Sequence, residues 1–295
     1  MPTYSSPGSF WLIALITATL YGAVPLILAA MGGILSERAG VVNIALEGFI
    51  LTGAFFGAWA GQNYAIAGLA AALIAGALLG LLHALLTQKA RMNHVVSGLG
   101  INLFAAGATR YLSLVYFSGG ITSQEIDPRK YLVVAAILPF GIAFLLKKTR
   151  FGLRLRAVGE NPESARMAGI AVVPIRILAV TLSGVLAALA GTFLSLGETP
   201  TFSRDMSAGK GYIALAAVIF GKWNPAGATI AALFFGLFYA IQTQMQISGI
   251  HLMWLGVEWS SPFLLDTLPY LMTIAALVSV VGRAVPPAAL GKEDA

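Results

Sequence analysis

The chain has 295 residues, of which 58% are hydrophobic and only 10% are charged. A soluble domain of this size would carry about 25% charged residues, so the composition excludes an ordinary soluble protein and indicates an integral membrane protein. The net charge of +6 is the expected excess of Lys and Arg on cytoplasmic loops and requires no nucleic acid as partner. Without cysteine, the chain has neither disulfides nor thiolate metal sites.

Nine apolar segments predict an all-α polytopic bundle of about eight to ten transmembrane helices, since one crossing takes ~20 apolar residues. We expect residues 1–295 to form a single transmembrane domain. One segment, Gly209 to Gly221, is short for a complete crossing. The segments are Phe10 to Met31, Val41 to Trp59, Ala65 to Leu86, Val95 to Phe117, Tyr131 to Leu146, Pro174 to Leu196, Gly209 to Gly221, Ala226 to Met245 and Leu264 to Val281.

Basic residues between these segments predict which loops are cytoplasmic. The loops that qualify contain Lys89 and Arg91, the stretch from Lys147 to Arg176, Lys222, and Arg283 with Lys292. The loop from Ser118 to Lys130 and the segment from Gly249 to Ser261 then face outward. The side of the N-terminus depends on whether the second segment spans the membrane completely.

The second segment carries polar residues that are costly in lipid unless they line a cavity or find partners. Asn43 and Glu47 are four apart, so on a helix they would share one face. For Glu47 an internal partner is favoured, either a backbone donor or a basic residue such as Arg38, over direct substrate contact. Candidates for a translocation path are Ser36, Asn43, Glu47, Asn102 and Gln242.

Glycines fall at helical spacing in the second and third segments. Gly53, Gly57 and Gly61 form one ridge of small residues, and Gly76 with Gly80 repeats the spacing. Such ridges let helix backbones approach closely, and internal packing of one bundle is favoured over a dedicated dimer contact.

The stretch from Lys147 to Arg176 holds seven of the 18 Lys and Arg residues. Within it, Asn161 can cap a helix, Pro162 suits the first helical position, and Glu163 complements the helix dipole. Gly169 can end the same helix in a left-handed conformation. We expect a helix of about two turns that exposes the small residues Ser164, Ala165 and Ala168 for docking; the alternative is a solvated loop with a capped turn.

Motifs of catalysis are missing from the sequence. There is no G-x-x-x-x-G-K-[ST] loop for ATP, and His83, His94 and His251 are scattered without an H-E-x-x-H pair. No G-x-S-x-G nucleophile motif occurs. The sequence therefore predicts neither catalytic nor metal-ligating residues, and the protein is not expected to be an enzyme.

Three stretches resemble the inner-membrane permeases of bacterial ABC importers, in the branch that includes simple-sugar, branched-chain amino-acid and nucleoside systems. They are GILSERAGVVNIALEG (Gly33–Gly48), RAVGENPESARMAGI (Arg156–Ile170) and GKGYIALAAVIFGKWNP (Gly209–Pro225). The resemblance covers most of the chain from about Gly33 to Val281, in the expected order. The Ser-Glu-Arg and Trp-Asn-Pro versions look most like the nucleoside-uptake branch.

This resemblance implies a type II ABC importer-like fold in the bacterial cytoplasmic (inner) membrane, with the path at the interface of two permease subunits. It implies as partners a second homologous permease, an ABC ATPase, an extracytoplasmic substrate-binding protein and a small-molecule substrate, in a lipid bilayer. The chain would hold no cofactor, because ATP is bound by the ATPase. A cytoplasmic coupling loop is implied within residues 147–173, with contacts to the ATPase near Gly159, Asn161, Pro162, Glu163, Ala165 and Gly169.

Two alternatives remain open from the sequence. The chain could be a secondary transporter that works without an ATPase, or the same kind of permease for a sugar, riboflavin or a branched-chain amino acid. Aromatic residues at membrane interfaces are usually anchors, so none is singled out as a base-stacking residue. Aromatic residues that could stack on a base include Tyr111, Tyr212, Trp254 and Trp259.

Overall fold

The computed structural model of the chain describes residues 7–117, 122–248, 253–254, 257–258 and 284–292. Across these ranges the fold is all-α, apart from two antiparallel two-residue strands, Met253–Trp254 and Val257–Glu258. A π-helical turn, Phe193–Glu198, continues α8. The α-helices of this part are α1 (Pro7–Arg38), α2 (Leu46–Ala60), α3 (Ala65–Gln88), α4 (His94–Tyr116), α5 (Pro128–Lys148), α6 (Arg150–Glu160), α7 (Pro162–Met167), α8 (Val172–Thr192), α9 (Lys210–Phe220) and α10 (Pro225–Ser248).

The predicted all-α polytopic class is confirmed. Eight of the nine predicted apolar segments fall within the described residues, and each contains a helix; the ninth, Leu264 to Val281, lies outside them. In the described part, five helices are long and apolar enough to cross a membrane, whereas α2 and α9 are shorter apolar helices. The five are Trp11–Arg38, Ala65–Gln88, Pro128–Lys148, Val172–Glu198 and Pro225–Met245.

The direction of α1 follows from the position of its last residue. Arg38 lies beside Glu160 and Trp223, on the side of the basic loops, so the start of α1 lies on the opposite side. The next segment returns across the bundle, because the backbone N–H of Gln124, in the outer loop, donates to the carbonyl of Gly61, just after α2 (2.8 Å). The second segment therefore crosses the membrane completely, partly as α2 and partly as non-helical chain. This answers the question that the sequence left open, and it places the start of α1 on the outer side.

The order of one long, one short and one long helix occurs twice, as α1–α2–α3 and as α8–α9–α10. α3 packs against α8 and, equivalently, α1 packs against α10, with α1 and α8 in contact at the centre. Because α1 ends on the cytoplasmic side and α8 on the outer side, the two triplets run in opposite directions. Transporters built in this way place their short, broken helices at the middle of the membrane.

The predicted internal role of the glycine ridges is confirmed. A Cβ on Gly53 of α2 would lie 2.3 Å from the carbonyl oxygen of Ala188, and one on Gly76 of α3 would lie 2.4 Å from the Ala188 side chain. No larger residue fits at either place, so α2 and α3 both pack with their backbones close to α8.

The apolar core lies where α1, α2 and α8 meet, and it includes the fully buried side chains of Met31, Phe49 and Phe193. The outer surfaces of α4 and α5 instead expose large apolar residues, among them Leu103, Phe140 and Phe144. In a membrane protein such a surface is covered by lipid or by another subunit.

Candidate functional site

The chain between α1 and α2, residues 41–45, enters the bundle in a non-helical conformation. Backbone polar groups at membrane depth are costly unless protein groups bond them. Polar side chains supply these bonds here: Ser36 to the Val41 carbonyl (2.8 Å), His83 to the Val42 carbonyl (3.4 Å), His94 to the Val42 N–H (3.4 Å) and Asn102 to the Ile44 carbonyl (2.9 Å). These side chains explain why α2 begins only at Leu46.

Asn43 lies in this non-helical segment, where it is fully buried and its Nδ2 donates to Ser183 Oγ of α8 (2.7 Å). The expectation that Asn43 and Glu47 share one face of a helix is therefore wrong, because the helix starts after Asn43. Asn43 anchors the segment to α8 instead.

Glu47 joins the two short helices. Its Oε1 accepts from the backbone N–H of Gly209 (2.8 Å) and its Oε2 from that of Gly211 (2.7 Å), at the beginning of α9. Glu47 is also in the first turn of α2. The carboxylate thus lies between two helix N-termini, whose dipoles both favour a negative charge. Of the internal partners considered from the sequence, the structure places backbone donors next to Glu47.

Asn102 of α4 also contacts the region where α2 and α9 begin. Its Oδ1 accepts from the N–H of Gly48 (2.8 Å), and its Nδ2 donates to the carbonyl of Ile44 (2.9 Å) and to the hydroxyl of Tyr212 (3.0 Å). The two backbone partners determine which end of the amide is oxygen and which is nitrogen. Asn102 therefore ties together α2, the non-helical segment and α9.

A cavity of about 330 Å³ adjoins Glu47, Asn102 and Tyr212, and it extends to Asp205 in the loop before α9. This volume is at the lower end of the range of small-molecule sites. Asn102 lies ~12 Å along α4 from its cytoplasmic start, and α9 is ~16 Å long, so the cavity is near the middle of a ~30 Å hydrocarbon core.

The predicted path residues thus separate into two groups. Glu47 and Asn102 line the cavity, Ser36 and Asn43 hold the non-helical segment in place, and Gln242 is buried on α10 and is not among the lining residues. Asp205 is not predicted from the sequence, and Tyr212, which belongs to the third motif, is not singled out there from the other aromatic residues. Among the described residues, no group of three or more His, Asp or Glu side chains could hold a metal ion.

The short helix α7 has the local structure that its sequence predicts. Asn161 Oδ1 accepts from the N–H of Ser164 (2.9 Å), Pro162 is the first helical residue, and Gly169 has a φ of +78°. Glu163, Ser164 and Ala168 are exposed.

The prediction that Ala165 is exposed for docking is wrong. It is 3% exposed and packs with Val158 of α6 and Val172 of α8, because the side of α7 that carries it faces these neighbours. The largest apolar group that α7 presents outward is Met167, which is 79% exposed.

The end of α6, immediately before α7, takes part in a cytoplasmic junction formed by residues 37–40, Gly159–Glu160, Trp223 and residues 284–292. The N–H of Ala289 donates to the carbonyl of Gly159 (2.9 Å), and that of Gly291 donates to the carbonyl of Gly40 (3.1 Å). The segment 284–292 therefore connects α6 to the turn that follows α1.

α1 contributes two neighbouring side chains to this junction. Arg38 Nε donates to the carbonyl of Trp223 (2.9 Å), and its Nη1 lies 3.9 Å from Glu160 Oε1. The indole N–H of Trp223 donates to the carboxylate of Glu37, which is buried. Gly159 packs directly on this end of α1, since a Cβ on it would lie 2.0 Å from the carbonyl oxygen of Arg38. α7 is thus connected to the non-helical segment through short backbone contacts.

Comparison with known proteins gives matches over nearly the whole chain. Residues 15–277 match the family described as "Branched-chain amino acid transport system / permease component". The guanosine ABC transporter permease protein NupQ of Bacillus subtilis is 38% identical, covering 94% of this chain and 95% of the relative. The nucleoside ABC transporter permease protein NupC of Lactococcus lactis is also 38% identical, covering 91% and 92%.

A putative glucose ABC transporter permease protein of Haloferax volcanii, TsgC13, is 34% identical over 91% of this chain and 92% of its own length. Bacillus subtilis and Lactococcus lactis each have a second, less similar permease with the same guanosine or nucleoside transporter description, at 26% and 24% identity. No solved structure matches the chain significantly.

Proposed function

Because the chain belongs to the family of branched-chain amino acid transport system permease components, we propose that it is the permease subunit of an ATP-binding-cassette importer for nucleosides. It works as a transport component and not as an enzyme. It forms the path with a second, homologous permease in the bacterial cytoplasmic membrane. A separate ATPase binds the ATP, so this chain needs no cofactor of its own, and an extracytoplasmic binding protein delivers the substrate.

The cavity beside Glu47 and Asn102 is the observation that carries this proposal. It lies where two short helices of opposite direction begin, which is where transporters with inverted repeats bind their substrates. One wall includes Leu99 and Leu103, and Leu103 is 76% exposed on this chain alone. A second permease packed against α4 would cover this wall and enclose the path between the two subunits.

The coupling step follows from the cytoplasmic junction. The ATPase docks on the exposed residues of α7, with Met167 as the apolar anchor. A movement of α7 displaces the end of α6, which is in backbone contact with α1 at Gly159 and is linked to Gly40 through the segment 284–292. Gly40 directly precedes the non-helical segment that leads to Glu47, so the movement reaches the wall of the cavity.

Nucleosides are the proposed substrates because the two relatives at 38% identity are described as guanosine and nucleoside permeases. The Ser-Glu-Arg and Trp-Asn-Pro motifs support the same branch. A sugar is the second candidate, supported by the relative described as a putative glucose permease at 34% identity.

The test is uptake of labelled guanosine, adenosine and glucose by cells with and without the gene, with unlabelled uridine, ribose, riboflavin and leucine as competitors. Loss of vanadate-sensitive nucleoside uptake on deletion is the expected result. Loss of glucose uptake with unchanged nucleoside uptake would mean that the chain is a permease whose substrate is glucose and not a nucleoside. Uptake that persists without ATP hydrolysis would refute the importer and favour a secondary transporter.

A further inference from the structure

We propose that Tyr212 and Asp205 are the substrate-contacting residues of the midplane cavity: the Tyr212 hydroxyl donates to an acceptor on the nucleobase, and the Asp205 carboxylate accepts from ribose hydroxyls. This inference rests on the proposed function, since it concerns the substrate class of the same path. Asn102 holds the Tyr212 side chain at the cavity, and Asp205 lines the same cavity without a side-chain partner among the described residues.

The hydroxyl of Tyr212 can still donate one hydrogen bond. Both hydrogens of the Asn102 amide nitrogen are used, one by the carbonyl of Ile44 and one by the Tyr212 oxygen. The Tyr212 oxygen therefore accepts, and its own hydrogen has no acceptor within the described part of the chain. A phenolic hydroxyl can donate and accept at the same time, so Tyr212 presents a donor to the cavity.

The ring of Tyr212 is also accessible, with 45% of the residue exposed although its hydroxyl is held by Asn102. An accessible aromatic ring that is fixed at one end is suited to stack on a planar base, and such stacking works with any base because each has a π-face. Of the four aromatic residues considered from the sequence, Tyr212 lines the cavity. Tyr111 is on α4 outside the set of lining residues, and the side chains of Trp254 and Trp259 lie outside the described residues.

The carboxylates of Glu47 and Asp205 differ in what they can offer a ligand. Both oxygens of Glu47 already accept from backbone N–H groups, so Glu47 shapes the cavity. Asp205 is exposed, lines the same cavity, and makes no side-chain hydrogen bond or ion pair with the described residues. An ionised carboxylate only accepts hydrogen bonds, so its partner on a neutral ligand has to be a donor such as a hydroxyl group.

These two groups match the two halves of a nucleoside. A nucleobase has a planar face and ring or carbonyl acceptors, which fit the Tyr212 ring and hydroxyl. A ribose has adjacent 2′ and 3′ hydroxyls that can donate to Asp205. Of the other polar lining residues, Glu47 and Asn102 are hydrogen-bonded to protein groups and act as positioning residues.

The test uses the complete transporter in liposomes, with saturating loaded binding protein, and compares maximum uptake rates of labelled guanosine and 2′-deoxyguanosine. The variants are Tyr212→Phe, Tyr212→Leu and Asp205→Asn. Matched controls are Tyr111→Phe, which removes an exposed hydroxyl from α4, and Glu125→Gln, which removes an exposed carboxylate from the outer loop. Basal ATP hydrolysis and thermal unfolding establish that each variant is assembled.

Removing one hydrogen bond is expected to lower a rate about two- to tenfold. Tyr212→Phe therefore slows both nucleosides by about this factor, and Tyr212→Leu slows both further, because the stacking surface is lost as well. Asp205→Asn slows guanosine uptake by about the same factor but slows 2′-deoxyguanosine uptake less. The rate for guanosine divided by the rate for 2′-deoxyguanosine therefore falls.

Wild-type rates in Tyr212→Leu would overturn the role of Tyr212, and equal slowing of both nucleosides in Asp205→Asn would overturn the role of Asp205. A wild-type transporter that carries no nucleoside would instead refute the proposed function, so the two failures are distinguishable.

Discussion

Replacement of Gly159 by alanine is predicted to separate ATP hydrolysis from transport. The added Cβ would lie 2.0 Å from the carbonyl oxygen of Arg38, 2.9 Å from its carbonyl carbon and 3.3 Å from the Gly40 nitrogen. Nonbonded carbon and oxygen atoms need a separation of at least about 3 Å. All three neighbouring atoms belong to the backbone, so the clash cannot be relieved by rotation of a side chain. The end of α6 must move by about 1 Å from α1, which disturbs the bond between Gly159 and Ala289.

The size of the effect follows from two opposing terms. Alanine in place of glycine in a helix stabilises by about 0.5–1 kcal/mol, and overpacking costs about 1–3 kcal/mol, so a net loss of about 0–2.5 kcal/mol in unfolding free energy is expected. Changes along a coupling network alter the coupling by about 0.5–2 kcal/mol, which is about a two- to thirtyfold change. We expect guanosine transported per ATP hydrolysed to fall within this range while hydrolysis continues.

Gly141→Ala in α5 is the matched control, because a Cβ there meets nothing within 4 Å. Both variants are compared with the wild type in liposomes by simultaneous measurement of guanosine uptake and phosphate release. Gly141→Ala should keep the wild-type ratio. The same ratio in Gly159→Ala would refute the transmission of movement through the contact between α6 and α1.

Four further predictions concern single side chains. Met167→Asp should abolish ATPase docking and leave the thermal unfolding of the permease unchanged, because this side chain is exposed. Ala165→Glu should instead lower the unfolding temperature, because it buries a carboxylate next to Val158 and Val172. Normal folding of Ala165→Glu would contradict the packing of α7. Glu47→Gln replaces one of the two charge-assisted acceptors and should lower the unfolding free energy of the protein by about 1.5–3 kcal/mol. We expect a reduced yield of protein with an unchanged substrate profile. An altered substrate profile at normal yield would mean that Glu47 contacts the substrate directly. Trp223→Phe leaves the buried Glu37 carboxylate without its indole donor and should cost about 1–3 kcal/mol in unfolding free energy, and an unchanged unfolding temperature would argue against the junction.

Features that depend on local sequence were predictable. The capping of α7 by Asn161, its start at Pro162 and its end before Gly169 need only neighbouring residues, as does the start of α10 at Pro225, whose N-terminus is capped by Asn224. Which side of α7 is buried was predicted wrongly, since that depends on where α6 and α8 lie. The error at Ala165 is therefore one of tertiary packing.

The break before α2 could not be predicted because its stabilising partners are distant in sequence. Val41–Ala45 is almost entirely apolar, and its backbone is bonded by His83, His94 and Asn102, which are contributed by α3 and α4. The bonds from Glu47 to Gly209 and Gly211 span more than half of the chain. Polar residues in an apolar segment indicated that partners exist, but the sequence could not identify them.

The most direct test of the path is the chemical accessibility of the cavity, and the absence of native cysteine makes single-cysteine variants of this chain easy to interpret. Ala106→Cys lines the cavity, and Ala136→Cys on α5 is an exposed control outside it. Both variants in the assembled transporter are treated with a charged, membrane-impermeant thiol reagent, with and without saturating guanosine. We expect the reagent to modify Ala106→Cys, the modification to stop guanosine uptake, and guanosine to slow the reaction, while Ala136→Cys in lipid is unaffected. Failure to modify Ala106→Cys, or full uptake after its modification, would contradict the location of the path.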